Sequence, residues 1–184
     1  MTITLGGNGL TPFDEIEESG NVASVEVDIR DDDSQNICLV MGTVGSNSDN
    51  VFGRVQLLDS GGTVISNIKG RSASVGITTS TGAWSADLIS TNVYGLGNSS
   101  SDSSISGERM QLMVWIQAAQ NASQPFYDVT MHIFSNFTYT SGAFYSGRSG
   151  AYYQGAANPR TLKFFFSSGD ISNANLKSFI IGTD

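Results

Sequence analysis

The chain has 184 residues, a formal net charge of −8 and only 14% charged residues, a length that fits one domain able to bury a core without staples. An acidic chain without a lysine/arginine cluster is repelled by phosphate backbones, which argues against nucleic acid as a partner. No apolar run reaches membrane-spanning length, which argues against membrane insertion.

Glycine, serine, threonine and asparagine together make 75 residues and proline only three, the balance of many strands joined by polar turns rather than of long amphipathic helices. The charge is uneven. Residues 1–33 hold nine acids and one base, Arg30, whereas residues 34–184 hold eight of each. The opening Met1-Thr2-Ile3-Thr4-Leu5-Gly6-Gly7 lacks the basic and apolar regions of a signal peptide, so synthesis in a cytoplasm is expected.

In chain order, residues 1–20 read as an N-terminal arm and residues 21–184 as one β-sandwich domain. Within the arm, Thr11 can cap a short helix, Pro12 suits its first position, Asp14 and Glu15 suit its positive end and Gly20 can close it. An extended arm is the alternative, because so short a helix is marginal without packing. From Ser24 the period is two: Val25, Val27 and Ile29 alternate with Glu26 and Asp28, a strand with one wet face. Asp31-Asp32-Asp33-Ser34 turns the chain. Strands are expected over 37–44 and 51–58, and Asp59-Ser60-Gly61-Gly62 makes a hairpin-like turn into a strand over 64–68. A weaker middle region holds Trp84, Leu88, Ile89 and Tyr94, and a serine-rich loop over 98–106, expected to be mobile, separates the halves.

Periodicity is clearest after that loop. Met110, Leu112, Val114 and Ile116 share a face opposite Gln111, Met113, Trp115 and Gln117, and Tyr127, Val129, Met131 and Ile133 repeat the pattern against Asp128, Thr130, His132 and Phe134. Pro125 stands just before this second strand, where a missing ladder donor does least harm. Near the C-terminus Leu162, Phe164 and Phe166 alternate with Lys163 and Phe165, so this strand too is apolar on both faces. Met113, Trp115, Phe134 and Phe165 fall on second faces. Burying each is worth about 1.5–3 kcal/mol, which predicts that the other sheet or another subunit covers them. Eight to ten such strands without intervening helices predict an all-β, antiparallel β-sandwich, with a jelly roll as the favoured order.

The chemistry-bearing residues are sparse. A serine or cysteine nucleophile needs a base, and the one histidine, His132, sits on the alternate face of a regular strand. Cys38 lies in the apolar run Ile37-Cys38-Leu39-Val40-Met41 and reads as a buried small residue. Asp87, Asp102, Glu108, Asp128 and Asp170 could pair for glycoside cleavage, but scatter alone is no signal. Asp28, Asp31, Asp32 and Asp33 offer oxygen ligands without the spacing or central glycine of a calcium loop, so a solvated turn is the preferred reading. Gly95-Leu96-Gly97 is a turn, lacking the third glycine and the following helix of a dinucleotide site. The expectation is no catalytic residue, no metal and no cofactor.

One cluster stands apart. Phe137, Tyr139, Phe144, Tyr145, Tyr152 and Tyr153 fall within seventeen residues, interrupted by Ser/Gly pairs and Arg148. Such rings can hold sugar faces or protein partners, since the ring is apolar while the hydroxyl keeps a wet edge. Paired strand residues at a subunit contact are the plainer reading.

The run Phe164-Phe165-Phe166-Ser167-Ser168-Gly169-Asp170-Ile171, followed by a last segment ending Ile180-Ile181-Gly182, resembles the close of β-sandwich domains in bacteriophage tail-fibre and virion structural proteins, particularly of aquatic phages. The opening Ile3-Thr4-Leu5-Gly6-Gly7-Asn8-Gly9-Leu10 is similar to the openings of many such proteins. Asn173-Ala174, where that pattern carries a glycine, is a departure. The resemblance implies a non-enzymatic virion component, commonly trimeric, made in the host cytoplasm and displayed on the particle. Its partners would be copies of itself, other virion proteins and a host surface glycan or protein. The first expectation is a tail-fibre or host-attachment protein whose N-terminal segment, with Phe13 and Ile16, docks onto the particle. A capsid decoration protein is the alternative and a carbohydrate-active enzyme a distant third.

Overall fold

The computed structural model describes residues 11–31, 37–48, 51–66, 68–78, 81–88, 94–101, 109–120, 126–138 and 144–181. Among these there is no helix. The described residues form twelve strands: β1 Thr11–Glu18, β2 Val25–Asp28, β3 Ile37–Ser46, β4 Val51–Asp59, β5 Lys69–Thr78, β6 Thr81–Leu88, β7 Tyr94–Ser101, β8 Met110–Gln120, β9 Tyr127–Thr138, β10 Phe144–Gly155, β11 Pro159–Phe166 and β12 Ile171–Ile180. They form an eight-stranded sheet in the order β1-β12-β3-β8-β9-β10-β5-β6 and a four-stranded sheet in the order β2-β11-β4-β7, every pair antiparallel. The expected all-β antiparallel sandwich is what the chain adopts.

The order has a simple internal logic. β5–β6 and β9–β10 are hairpins, and both extend the long sheet beyond β8. With these set aside, eight strands remain as β1-β12-β3-β8 facing β2-β11-β4-β7. The chain changes sheet at every step from β1 to β4, and again from β7 to β8 and from β11 to β12.

Alternation places the core between the sheets. Along β8 every second residue from Met110 to Ala118 is buried while its neighbours face water, as strand pleating requires. Val129, Met131 and Ile133 of β9 continue that layer, and Val27, Leu57, Leu162 and Phe164 meet it from the short sheet. The expected apolar stripes of β8, β9 and β11 are therefore the core stripes.

The N-terminal segment differs from expectation. Residues 11–18 are not a helix but β1, the edge strand of the long sheet, laddered to β12 from Thr11↔Ile180 to Glu18↔Ala174. Two or three turns of helix gain too little on their own to resist an open sheet edge that supplies ladder hydrogen bonds. Pro12 sits beside a bulge on that edge, where its missing N–H is tolerated. The two acids that suited a helix N-terminus bond laterally instead, Glu15 pairing with Lys177 and Asp14 Oδ2 accepting the Asp28 N–H at 2.8 Å, and Glu17 likewise accepts from the Asn175 amide.

Three further differences concern the strand count. Lys69–Thr78 and Thr81–Leu88 are full strands where the sequence reads weakly. The start of the expected serine-rich loop belongs to β7. The strand expected over 64–68 reduces to one bridge, Leu58↔Val64. The turn before it forms as expected: Asp59 Oδ1 accepts the N–H groups of Gly61 and Thr63, both at 2.9 Å, and Gly62 takes φ 76°, the Asx-turn chemistry that favours this sequence. At the other end, Ser167-Ser168-Gly169 turns β11 into β12 with Gly169 at φ 72°. Asn47 locks that turn, its N–H bonding the Asp170 carbonyl at 3.0 Å and its Oδ1 accepting the Asp170 N–H at 2.8 Å. Ile89, Asp102, Glu108, Pro125 and Tyr139, together with Asp32, Asp33 and residues 1–10 and 182–184, lie outside the described residues.

Candidate functional site

The outer face of the long sheet carries large apolar side chains that nothing among the described residues covers. Directly opposed residues of an antiparallel pair share a face, so the register can be read as rows. One row runs Met41, Met113, Phe134, Arg148 across β3, β8, β9 and β10; the next runs Leu39, Trp115, His132, Gly150; a third runs Gln117, Thr130, Tyr152, Lys69 and ends on β5. Met41 and Met113 are each 38% exposed, Trp115 36% and Tyr152 41%, whereas their strand neighbours Val40, Val114 and Ala151 are buried.

Polar contacts organise this face. The Arg148 guanidinium carbon lies 5.7 Å from the Phe134 ring centroid, a cation–π contact worth about 0.5–1 kcal/mol at an exposed position. The Tyr152 hydroxyl donates to Asp128 Oδ1 at 3.0 Å and the Gln154 amide donates to the same oxygen at 2.8 Å. The hydrogen bond to Asp128 is the main reason that the Tyr152 phenol is held above its ordinary pKa of 10, with desolvation and the carboxylate charge adding to it. Lys69, His132 and Arg148 are all exposed.

The expected site residues divide. Met113, Trp115, Phe134, Arg148 and Tyr152 come together on this one face. Tyr153 does not: alternation turns it inward, where it is buried and its hydroxyl accepts the Ala157 N–H at 2.9 Å, so it is core and not contact surface. Phe165 is half-buried on the four-stranded sheet, opposite Arg54 and beside Lys163, which pairs with Glu26 at 3.3 Å. Phe13 and Ile16 are half-buried on β1, with Ile16 packed partly against the core. Phe137 pairs with Tyr145 in the β9–β10 ladder and Phe144 with Thr138; for these aromatic residues only the backbone is described. Asp128 and His132 share this face with Phe134 as the alternation of β9 requires, whereas Met41, Gly150, Gln154 and Lys69 join it without a signal in the sequence. Met41 is masked in sequence by its uniformly apolar run, and the polar residues join only through cross-strand register.

Chemistry that needs a nucleophile or a metal finds little support among the described residues. Burial pushes the Cys38 thiol up to about 12, despite the Phe179 backbone hydrogen bond that acts the other way. Asp28 Oδ1 accepts the Thr161 hydroxyl at 2.9 Å, and no group of three or more His, Cys, Asp or Glu among the described residues could hold a metal ion. No helix among them is long and apolar enough to cross a membrane. No protein-family model, curated protein or solved structure matches this chain.

Proposed function

We propose that this protein is a non-enzymatic structural component of a bacteriophage particle, a tail-fibre or host-attachment protein that acts through contact surfaces rather than catalysis. The observation that carries the reading is the exposed pair Met41 and Met113 in one row, with half-buried Phe134 continuing it and exposed Trp115 and Tyr152 beside it. Apolar area of this kind, rimmed by polar groups, is the mark of an interaction surface. The β11 strand, Ser-Ser-Gly-Asp turn and β12 strand that carry the resemblance to tail-fibre proteins also close the sandwich here. In this reading copies of the chain associate, as a trimer by the resemblance, and the sandwich is displayed on the particle toward a host surface.

The strand order favours a second reading. Eight strands running β1-β12-β3-β8 against β2-β11-β4-β7, with two hairpins added, support the jelly roll expected from the sequence. That architecture suits a capsid decoration protein that stabilises a shell. Immunogold labelling of purified particles separates the two: label confined to the tail tip supports attachment, and label spread over the shell supports decoration. Absence of the chain from purified particles by mass spectrometry removes both.

A further inference from the structure

The two inserted hairpins meet where β10 pairs with β5, and on the outer face of that seam stands Gly150. In register, its partner on β9 is His132 and its partner on β5 is Arg71. Arg148 and Tyr152 follow two residues away on the same strand and face, and Lys69 is the register partner of Tyr152. Among the described side chains, His132 Nδ1 would lie nearest to a Cβ built on Gly150, 4.0 Å away. Gly150 therefore adds no side chain to the outer face beside exposed His132, and the pit this leaves has exposed Arg148 and Lys69 near it.

The charge of this patch runs against that of the chain. Lys69 and Arg148 are two of only nine cations in a protein of net charge −8, and His132 is the single histidine. The neighbouring carboxylate, Asp128, already accepts from Tyr152 and Gln154. Among the described residues no carboxylate pairs with Lys69, Arg148 or His132. Two half-exposed rings frame the pit: Tyr152 on one side and, beyond His132 in the same row, Trp115.

We propose that this pit binds an acidic saccharide, a sugar bearing a carboxylate. The carboxylate is drawn to the cationic group around Gly150, because unlike charges attract and the uncharged glycine lets the ligand approach the sheet. The rings of Tyr152 and Trp115 receive the apolar faces of the sugar. The fixed Asp128–Gln154–Tyr152 network offers hydrogen bonds to hydroxyl groups. The proposal rests on the attachment reading and gives it a ligand class.

The test is binding of the intact protein to polygalacturonate and hyaluronan, with neutral dextran as the control. The expected result is binding to the two acidic polymers and not to dextran. It should weaken as salt rises from about 0.1 M to about 1 M, where the screening length falls from about 10 Å to about 3 Å. Lys69→Gln with Arg148→Gln, and separately Gly150→Leu, should each lower affinity at least about tenfold while the thermal midpoint moves by less than about 4 °C. Equal binding to dextran, salt-insensitive binding, unchanged affinity in both variants, or no binding by the unaltered protein would each overturn the proposal. If the chain is nonetheless labelled on the tail, the sugar assignment alone has failed and the attachment reading stands.

Discussion

Gly42 and Gly150 lie in the same sheet, yet adding one methyl group to each should have opposite consequences. At Gly42, on β3, φ is 153° and an added Cβ would sit 1.9 Å from the Asn175 carbonyl oxygen and 2.9 Å from the Leu176 Cα, both backbone atoms of β12. Neither can rotate away, so β3 and β12 must separate by more than an ångström or Gly42 must change conformation. Backbone strain of this kind costs about 1–3 kcal/mol and forced overpacking about 1–3 kcal/mol. Gly42→Ala should therefore destabilise by about 2–6 kcal/mol. At Gly150 the Cβ has ordinary contact distance to the nearest of the described side chains, and removing a glycine stiffens the unfolded chain, so Gly150→Ala should be neutral or stabilising by about 0.4–1 kcal/mol. For a chain of this size each kcal/mol moves the midpoint by about 2–4 °C. Thermal unfolding followed by circular dichroism should thus show Gly42→Ala melting at least about 4 °C below the parent and Gly150→Ala at or above it. A Gly42→Ala protein that melts with the parent would refute the close β3–β12 approach, and with it the placement of β12 between β1 and β3.

Neighbours on β8 offer a second comparison. Ile116 is buried and Trp115 is 36% exposed, so Ile116→Ala should cost about 2–5 kcal/mol whereas Trp115→Ala should cost much less in the isolated chain and instead weaken self-association, as seen by denaturant titration and sedimentation; a larger stability loss at Trp115 would show that this face is core. Cys38 sets a pH limit. Its thiol is raised to about 12 from an ordinary value of 9, so the folded state holds its proton where the unfolded chain releases it; that contribution is complete below pH 9 and is lost as pH rises toward 12. The folded protein should be inert to a thiol-specific disulfide reagent at pH 8 and react once unfolded, and rapid reaction without unfolding would contradict its burial.

The two-residue period of the sequence by itself determined the fold class and most of the core. Val25 and Val27, and every second residue from Met110 to Ile116, from Val129 to Ile133 and from Leu162 to Phe166, face inward as their alternation requires, because a pleated strand leaves each side chain only two directions. The turns at Asp59 to Gly62 and at Gly169 were equally legible, since both depend on residue types that accept those local geometries. Tertiary structure alone decided the rest. Residues 11–18 could cap and charge a helix, and only the open ladder of β12 made them a strand. Tyr152 and Tyr153 are adjacent aromatics with the same chemistry, and pleating sends one to solvent and the other into the core. The grouping of Trp115, His132, Gly150 and Arg71 in one row crosses four strands from distant parts of the chain. Its residues meet because hydrogen bonds between strands fix a register that no local pattern contains.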